Sequence, residues 1–184
     1  DRTNDVLANY GVRVGGTDFD SALNLKKVAP LLGMHTLMRG SSSDIQVPTY
    51  IYYDLTSWHF LRKLYTREAK DYIRRIAQVA YDKAAFKRLL NVLDNEESHR
   101  ILMAVEDCKK NLSTKDSDEI NLNFMLQPEN LIVTKSVFNE IIMKHRVQLL
   151  DAIAETMRLA SVSHDQIQSV YYTGGSPKIL IIRD

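Results

Sequence analysis

Cysteine is almost absent from this 184-residue chain: Cys108 stands alone, which excludes an internal disulfide and a cysteine metal cluster and fits a reducing compartment. Charge of one sign is missing too. The 24 Lys and Arg against 23 Asp and Glu leave a formal net charge of +1. That excludes the basic field that recruits nucleic acid and the acidic excess of a solvating tail. No apolar run reaches the roughly 20 residues of a membrane helix, and no secretory leader opens the chain. These absences predict a cytoplasmic, globular protein with neither nucleic acid nor membrane as partner. The chain opens on Asp1 rather than methionine and is expected to be a piece of a longer protein.

What is present is a composition 45% hydrophobic and 26% charged, enough for one substantial core or two small lobes. Glycine is sparse, at seven residues, yet it occurs twice in adjacent pairs, Gly15-Gly16 and Gly174-Gly175. The second pair lies in Tyr171-Tyr172-Thr173-Gly174-Gly175-Ser176-Pro177-Lys178-Ile179-Leu180. Ile167–Val170 before it reads as a short strand, and Pro177 after it suits the first position of a helix. Such a turn lets backbone approach a ligand, and the helix start beyond it suits phosphate. On spacing alone it reads more readily as a tight strand-to-helix connection with no ligand, for it is neither a Walker loop nor a GxGxxG fingerprint.

Along the chain, Asp5–Val14 predicts a strand-turn-strand, and Thr17–Asp20 leads into a helix carrying Ala22, Leu23, Leu25 and Val28. Asp18 or Asp20 would cap that helix, and Pro30 with Gly33 would stop it. Residues 34–56 read as an irregular excursion. Three helical patterns follow. Thr66 caps the first (Ala69, Ile73, Ile76, Ala80), Ala85, Leu89, Leu90 and Leu93 mark the second, and Asn95 is expected to cap the third, with Ile101, Val105, Cys108 and Leu112 at helical spacing. Alternation over Ser117–Met125 predicts a strand, with Asn130–Val133 as its antiparallel neighbour. A long helix is expected from Lys135 to Ala160, turning Phe138, Ile141, Ile142, Leu149, Ile153 and Met157 inward.

On the third helix, Glu106, Lys109 and Ser113 share a stripe, with Lys110 beside it, away from the apolar residues. This is either a solvated face laced by a Glu106–Lys110 pair or a polar wall against a ligand, the carboxylate taking hydroxyls and the lysine stems covering a flat ring. The histidines are scattered, and His145 is expected to be a satisfied core residue. The aromatics Tyr50, Tyr52, Tyr53, Trp58 and Phe60 are expected to pack the excursion rather than bind a partner. No residue set reads as catalytic or metal-binding.

Three segments occur in the order and at the separations of one family: Val14–Asp20 (VGGTDFD), Ala104–Ser113 (AVEDCKKNLS) and Tyr171–Ile179 (YYTGGSPKI). Together with the long helix before the last, they resemble the second lobe of the ATPase domain of DnaK-type heat-shock chaperones, most nearly the divergent YegD-like branch. The resemblance covers residues 14–25 and 102–184. It implies an α/β fold, one lobe of an actin-like ATPase, with a sheet-bearing base subdomain over residues 1–14 and 143–184 and a mainly helical outer subdomain, with a small antiparallel sheet, over 15–142. It further implies an ATP or ADP site in a cleft completed by the other lobe. In that site Gly16 would approach the ribose and Glu106 would take its hydroxyls. Lys109 and Ser113 would reach the ribose and adenine edges, Gly174 and Gly175 would lie by the α- and β-phosphates, and Lys178 and Ile179 would bound the adenine.

This sequence departs from the family pattern in four places. Thr17 stands where an acid is usual, Lys110 and Lys178 where two arginines sandwich the adenine, and Pro177 where threonine is usual. Lysine lacks the planar guanidinium that stacks on a ring, which predicts weaker or less adenine-selective binding. The family's Mg-associated aspartates, its γ-phosphate loop and its first-lobe lysine would lie upstream, so this chain alone is expected not to hydrolyse ATP. Implied partners are the first lobe of the parent, unfolded clients and co-chaperones. The alternatives are a lobe of an actin-fold sugar kinase or filament protein, and an interaction module independent of nucleotide.

Overall fold

A computed structural model describes residues 5–127 and 130–183; Asp1–Asn4 and Asp184 of the expected base subdomain lie outside them. Helix α1 spans Gly16–Lys27. Its first turn is closed by Asp18, whose Oδ2 accepts from the Gly15 N–H at 2.7 Å. That is the reciprocal half of a capping box. Phe19 and Leu23, one turn apart, are fully buried and Val28 continues the stripe, whereas Ala22 and Leu25 are only half-buried.

A 3-10 turn at Ala29–Leu32 ends at Gly33, whose φ of 98° is left-handed. A Cβ there would come within 2.9 Å of the Phe86 ring, so both the turn and the packing require glycine. Residues 34–56 are more ordered than the sequence suggests. Strands β1 (Leu37–Met38) and β2 (Ile45–Gln46) pair antiparallel, and helix α2 (Tyr50–Leu55) follows. Tyr52 is wholly buried, with its hydroxyl donating to the Leu32 carbonyl at 3.2 Å.

Short helix α3 (Leu61–Leu64) leads to α4 (Arg67–Val79), α5 (Lys83–Asp94) and α6 (Ser98–Leu112). Thr66 caps α4 as expected, its oxygen accepting from the Ala69 N–H. Asp82 caps α5 through Ala85 at 2.8 Å, a role the apolar periodicity did not reveal. Asn95 does not cap α6. It ends α5 instead, and Glu96 at φ 55° turns the chain so that α6 begins at Ser98 without a side-chain cap. The three helices pool Ile73, Ile76, Phe86, Leu89, Leu93, Ile101, Val105 and Cys108 in one core. Each fully buried aliphatic or aromatic residue in such a core contributes roughly 1.5–3 kcal/mol.

Strands β3 (Ser117–Ile120) and β4 (Leu131–Thr134) form the second antiparallel pair, with Asp118 opposite Val133 and Ile120 opposite Leu131. The ladder stops at Ile120, short of the expected Met125, although Leu122 and Met125 still bury their side chains. Helix α7 runs unbroken from Lys135 to Ala160, capped by Thr134, across the expected subdomain boundary at 142/143. Its packing changes there. Phe138 and Ile142 are buried, whereas Met143, Val147, Leu150 and Ile153 are exposed, so Ile153 does not face inward as its spacing predicts.

Two further expectations fail. Asp5–Val14 and Ile167–Tyr172 contain no strand, and among the described residues the sheets are the two small antiparallel pairs. An extended segment is held by ladder hydrogen bonds to a neighbour, and these two find none. Val6, Leu7, Val170 and Tyr171 accordingly stand largely exposed.

Candidate functional site

Helix α6 packs on both α1 and β3, which fixes the direction of its polar face. Val105, Cys108 and Leu112 anchor one side in the core. Glu106, Lys109, Lys110 and Ser113 therefore project together from the other, toward the start of α1 and the terminal glycine turn. Those three elements enclose a recess of about 450 Å³, within the roughly 300–1,000 Å³ typical of small-molecule sites. Gly16 lines it from α1, the four α6 residues form its wall, and Gly175, Ser176, Lys178 and Ile179 close it from the terminal turn.

Of the residues expected from the sequence, Gly16, Glu106, Lys109, Lys110, Ser113, Gly175, Lys178 and Ile179 thus share one recess. Gly174 does not line it. Its contribution is conformational, a φ of 81° that turns the chain into the 3-10 helix Ser176–Lys178. Ser176 lines the recess without having been singled out in the sequence. Pro177 occupies the first turn of that short helix, consistent with its missing N–H.

The two lysines of the wall differ in environment. Lys110 is largely exposed and pairs with Glu106 at 2.9 Å. The hydrogen bond from Lys110 holds the Glu106 carboxyl below the ordinary carboxylate range. Lys109 is partly buried, with 13% of its side chain exposed, and its Nζ donates to Asp20 Oδ2 at 2.7 Å and to the Gly16 carbonyl at 3.1 Å. A Cβ at Gly16 would stand 3.4 Å from that ammonium, so glycine leaves it room.

Asp20 is therefore neither a cap nor a turn residue, as the sequence suggests; Asp18 caps and Asp20 pairs with Lys109. The signal was its spacing, since Gly16 and Asp20 are one turn apart on the same face of α1. Burial pushes the Asp20 carboxyl up, outweighing the Lys109 hydrogen bond that pulls it down. Ser113 turns its hydroxyl back to the Lys110 carbonyl at 2.6 Å and presents its oxygen as an acceptor.

Other concavities lack this convergence. One of about 640 Å³ lies between α1 and α7 beside Leu25 and Ile141, and one of about 540 Å³ lies between α6 and β3 beside Arg100 and Asp118. Both are larger, but neither gathers glycine backbone and polar side chains from three separate elements. A smaller hollow of about 360 Å³ adjoins the candidate recess across Glu106, beside Trp58 and His59. Trp58, Tyr50, Tyr53 and Phe60 remain half-exposed, so the aromatic excursion is only partly packed. His145 meets Phe19 edge-on at 5.7 Å, but its buried Nδ1 has no partner, unlike a satisfied core histidine. Burial pushes the Cys108 thiol up to about 12, far from a reactive thiolate. Among the described residues no group of three or more His, Cys, Asp or Glu side chains is placed to hold a metal ion.

A sequence model described as Hsp70 protein matches residues 69–184, more than half of the chain. The match takes in all of α6 and the terminal turn, but not the Gly15–Asp20 segment that completes the recess. The chain belongs to the Hsp70 family of heat-shock chaperones.

Proposed function

We propose that this chain supplies the adenosine-binding half of the ATPase cleft of a DnaK-like chaperone, of the YegD-like branch, as the second lobe of an actin-like ATPase fold. The nucleotide is ATP or ADP. One observation carries the reading: backbone and side chains from three remote stretches of sequence meet around one nucleoside-sized recess.

The chemistry of the lining suits the ligand. Glu106 is kept ionised by Lys110 and accepts from ribose hydroxyls, while the exposed stems of Lys110 and Lys178 cover the faces of a base above Ile179. No Cβ occupies the space beside Gly175, where backbone can approach a diphosphate. Mg, which the family uses with the nucleotide, would neutralise phosphate charge through ligands of the parent's first lobe. That lobe is the principal partner, and clients and co-chaperones act on the cytoplasmic parent. Closure of two lobes on ATP would then shift the population toward one partner-binding state, to the extent that ATP contacts differ between open and closed forms.

Titration of ADP into the full-length parent tests the reading, with Glu106→Ala and Gly175→Val as variants. Each should weaken ADP by about tenfold or more, the first through lost charge-assisted hydrogen bonds and the second through bulk in the recess. Absence of ADP binding by the wild-type parent would overturn it in favour of a nucleotide-independent interaction module.

A further inference from the structure

The side chain that organises this recess lies behind it. Lys109 carries three N–H donors on one ammonium. Two are committed, to Asp20 Oδ2 at 2.7 Å and to the Gly16 carbonyl at 3.1 Å, and the residue also lines the recess. One donor is left for a ligand, in a direction fixed by the other two.

Charge leads to the same point. Asp20, with 17% of its side chain exposed, neutralises Lys109 at contact distance, so the pair presents a dipole to the recess, not a free cation. Positive charge is supplied to the recess instead by the exposed Lys178, since Lys110 is itself paired with Glu106.

Stability does not account for the arrangement. Asp20 Oδ1 is buried with no partner, so the carboxylate is only half satisfied. A buried ion pair of this kind is often no more stabilising than apolar residues of the same volume.

We propose that Asp20 is a positioning residue: it holds Lys109 as an oriented hydrogen-bond donor to a neutral hydroxyl, and so makes the recess select ribose over a hydroxyl-free sugar. This rests on the nucleotide reading given above. Gly16 is the second half of the device, because its carbonyl takes one donor and its missing side chain leaves the ammonium in place.

Calorimetric or NMR titration of the parent protein with ADP, 2′,3′-dideoxy-ADP and inorganic pyrophosphate tests the proposal. Wild type should prefer ADP to the dideoxy analogue by about a hundredfold, about tenfold for each of the charge-assisted hydrogen bonds of Glu106 and Lys109. Asp20→Asn should cut that preference by about tenfold, to the share carried by Glu106, and strengthen pyrophosphate binding, because the ammonium is released as a free cation. A purely structural role for Asp20 would weaken all three ligands together, and that result overturns the proposal. Asp20→Glu keeps the charge but displaces it by one methylene; it serves if the asparagine variant does not fold, and an undiminished ADP preference in it also overturns the proposal. Should wild type bind no ADP, the nucleotide reading fails by itself. Positioning is then read from the Lys109 ammonium resonance: slow exchange in wild type that is lost in Asp20→Asn sustains it, and fast exchange in wild type overturns it.

Discussion

Each double-glycine turn gives one residue to the recess, Gly16 and Gly175, yet the two turns use glycine for opposite reasons. At Gly15-Gly16 the protein fills the space itself: Asp18 closes on the Gly15 N–H, and the Lys109 ammonium sits where a larger residue 16 would press. At Gly174-Gly175 nothing of the protein lies within 4 Å of where either Cβ would stand. The first turn is thus a packed joint between α1 and α6, and the second is open backbone of which Gly175 lines the recess. A shared Gly-Gly pattern in sequence therefore covers two physical situations, one in internal contact and one left open.

The largest break in that comparison comes from the lysines on the two sides. Lys109→Met should lower stability by about 3 kcal/mol, because it leaves the Asp20 carboxylate buried without its charge partner. Lys178→Met, at the exposed turn, should leave the urea midpoint unchanged. Equal midpoint shifts in the two variants would mean that the first turn is not the packed joint its geometry indicates.

A smaller effect separates strain from space. Gly174 holds φ 81° with open surroundings, so Gly174→Ala should cost about 1–2 kcal/mol through backbone conformation alone. Gly16→Ala, helical and with a movable lysine end as its neighbour, should be near neutral in stability while displacing Lys109. Thermal unfolding of the two variants reads the difference directly.

The packed side of the molecule was the more legible in sequence, for a physical reason. Helical periodicity reports burial against the chain's own core, so α4, α5, α6 and the full length of α7 stand where their apolar spacing puts them. Caps set by local chemistry, Thr66 among them, followed the same logic. Asn95 misled because α5 and α6 abut, and one residue had to serve as the end of the first helix. The segments at 5–14 and 167–172 have strand-like composition, but strand formation depends on a neighbour, which no local pattern supplies. Ile153 fits the α7 stripe by spacing, yet the surface it faces is bare. For the site, the resemblance supplied the residues and the geometry brought all but Gly174 together in the recess. It missed Asp20, whose role depends on a contact 89 positions away.

The smallest effect is the most discriminating, because it sets two carboxylates of neighbouring environment in opposition. Burial raises Asp20 above its ordinary 3.8, so the folded state holds that proton more tightly than the unfolded chain does. Its contribution to stability declines as pH rises from 3.8 through the higher folded value, and is level above it. Glu106 is shifted the other way, below 4.5, by the Lys110 hydrogen bond. Its contribution is complete above 4.5 and is lost as pH falls through the lower folded value. Glu106 and Lys110 are both well exposed and screened by salt, so Glu106→Gln should change stability within the scatter of an unfolding measurement at neutral pH. Unfolding curves between pH 3 and 7, relative to wild type, should therefore show Asp20→Asn gaining on wild type as pH rises and Glu106→Gln showing no such gain. The same slope sign in both variants would contradict the distinction between the buried joint and the exposed wall. A Glu106 variant that keeps its stability while losing ADP would assign that carboxylate to the ligand rather than to the fold.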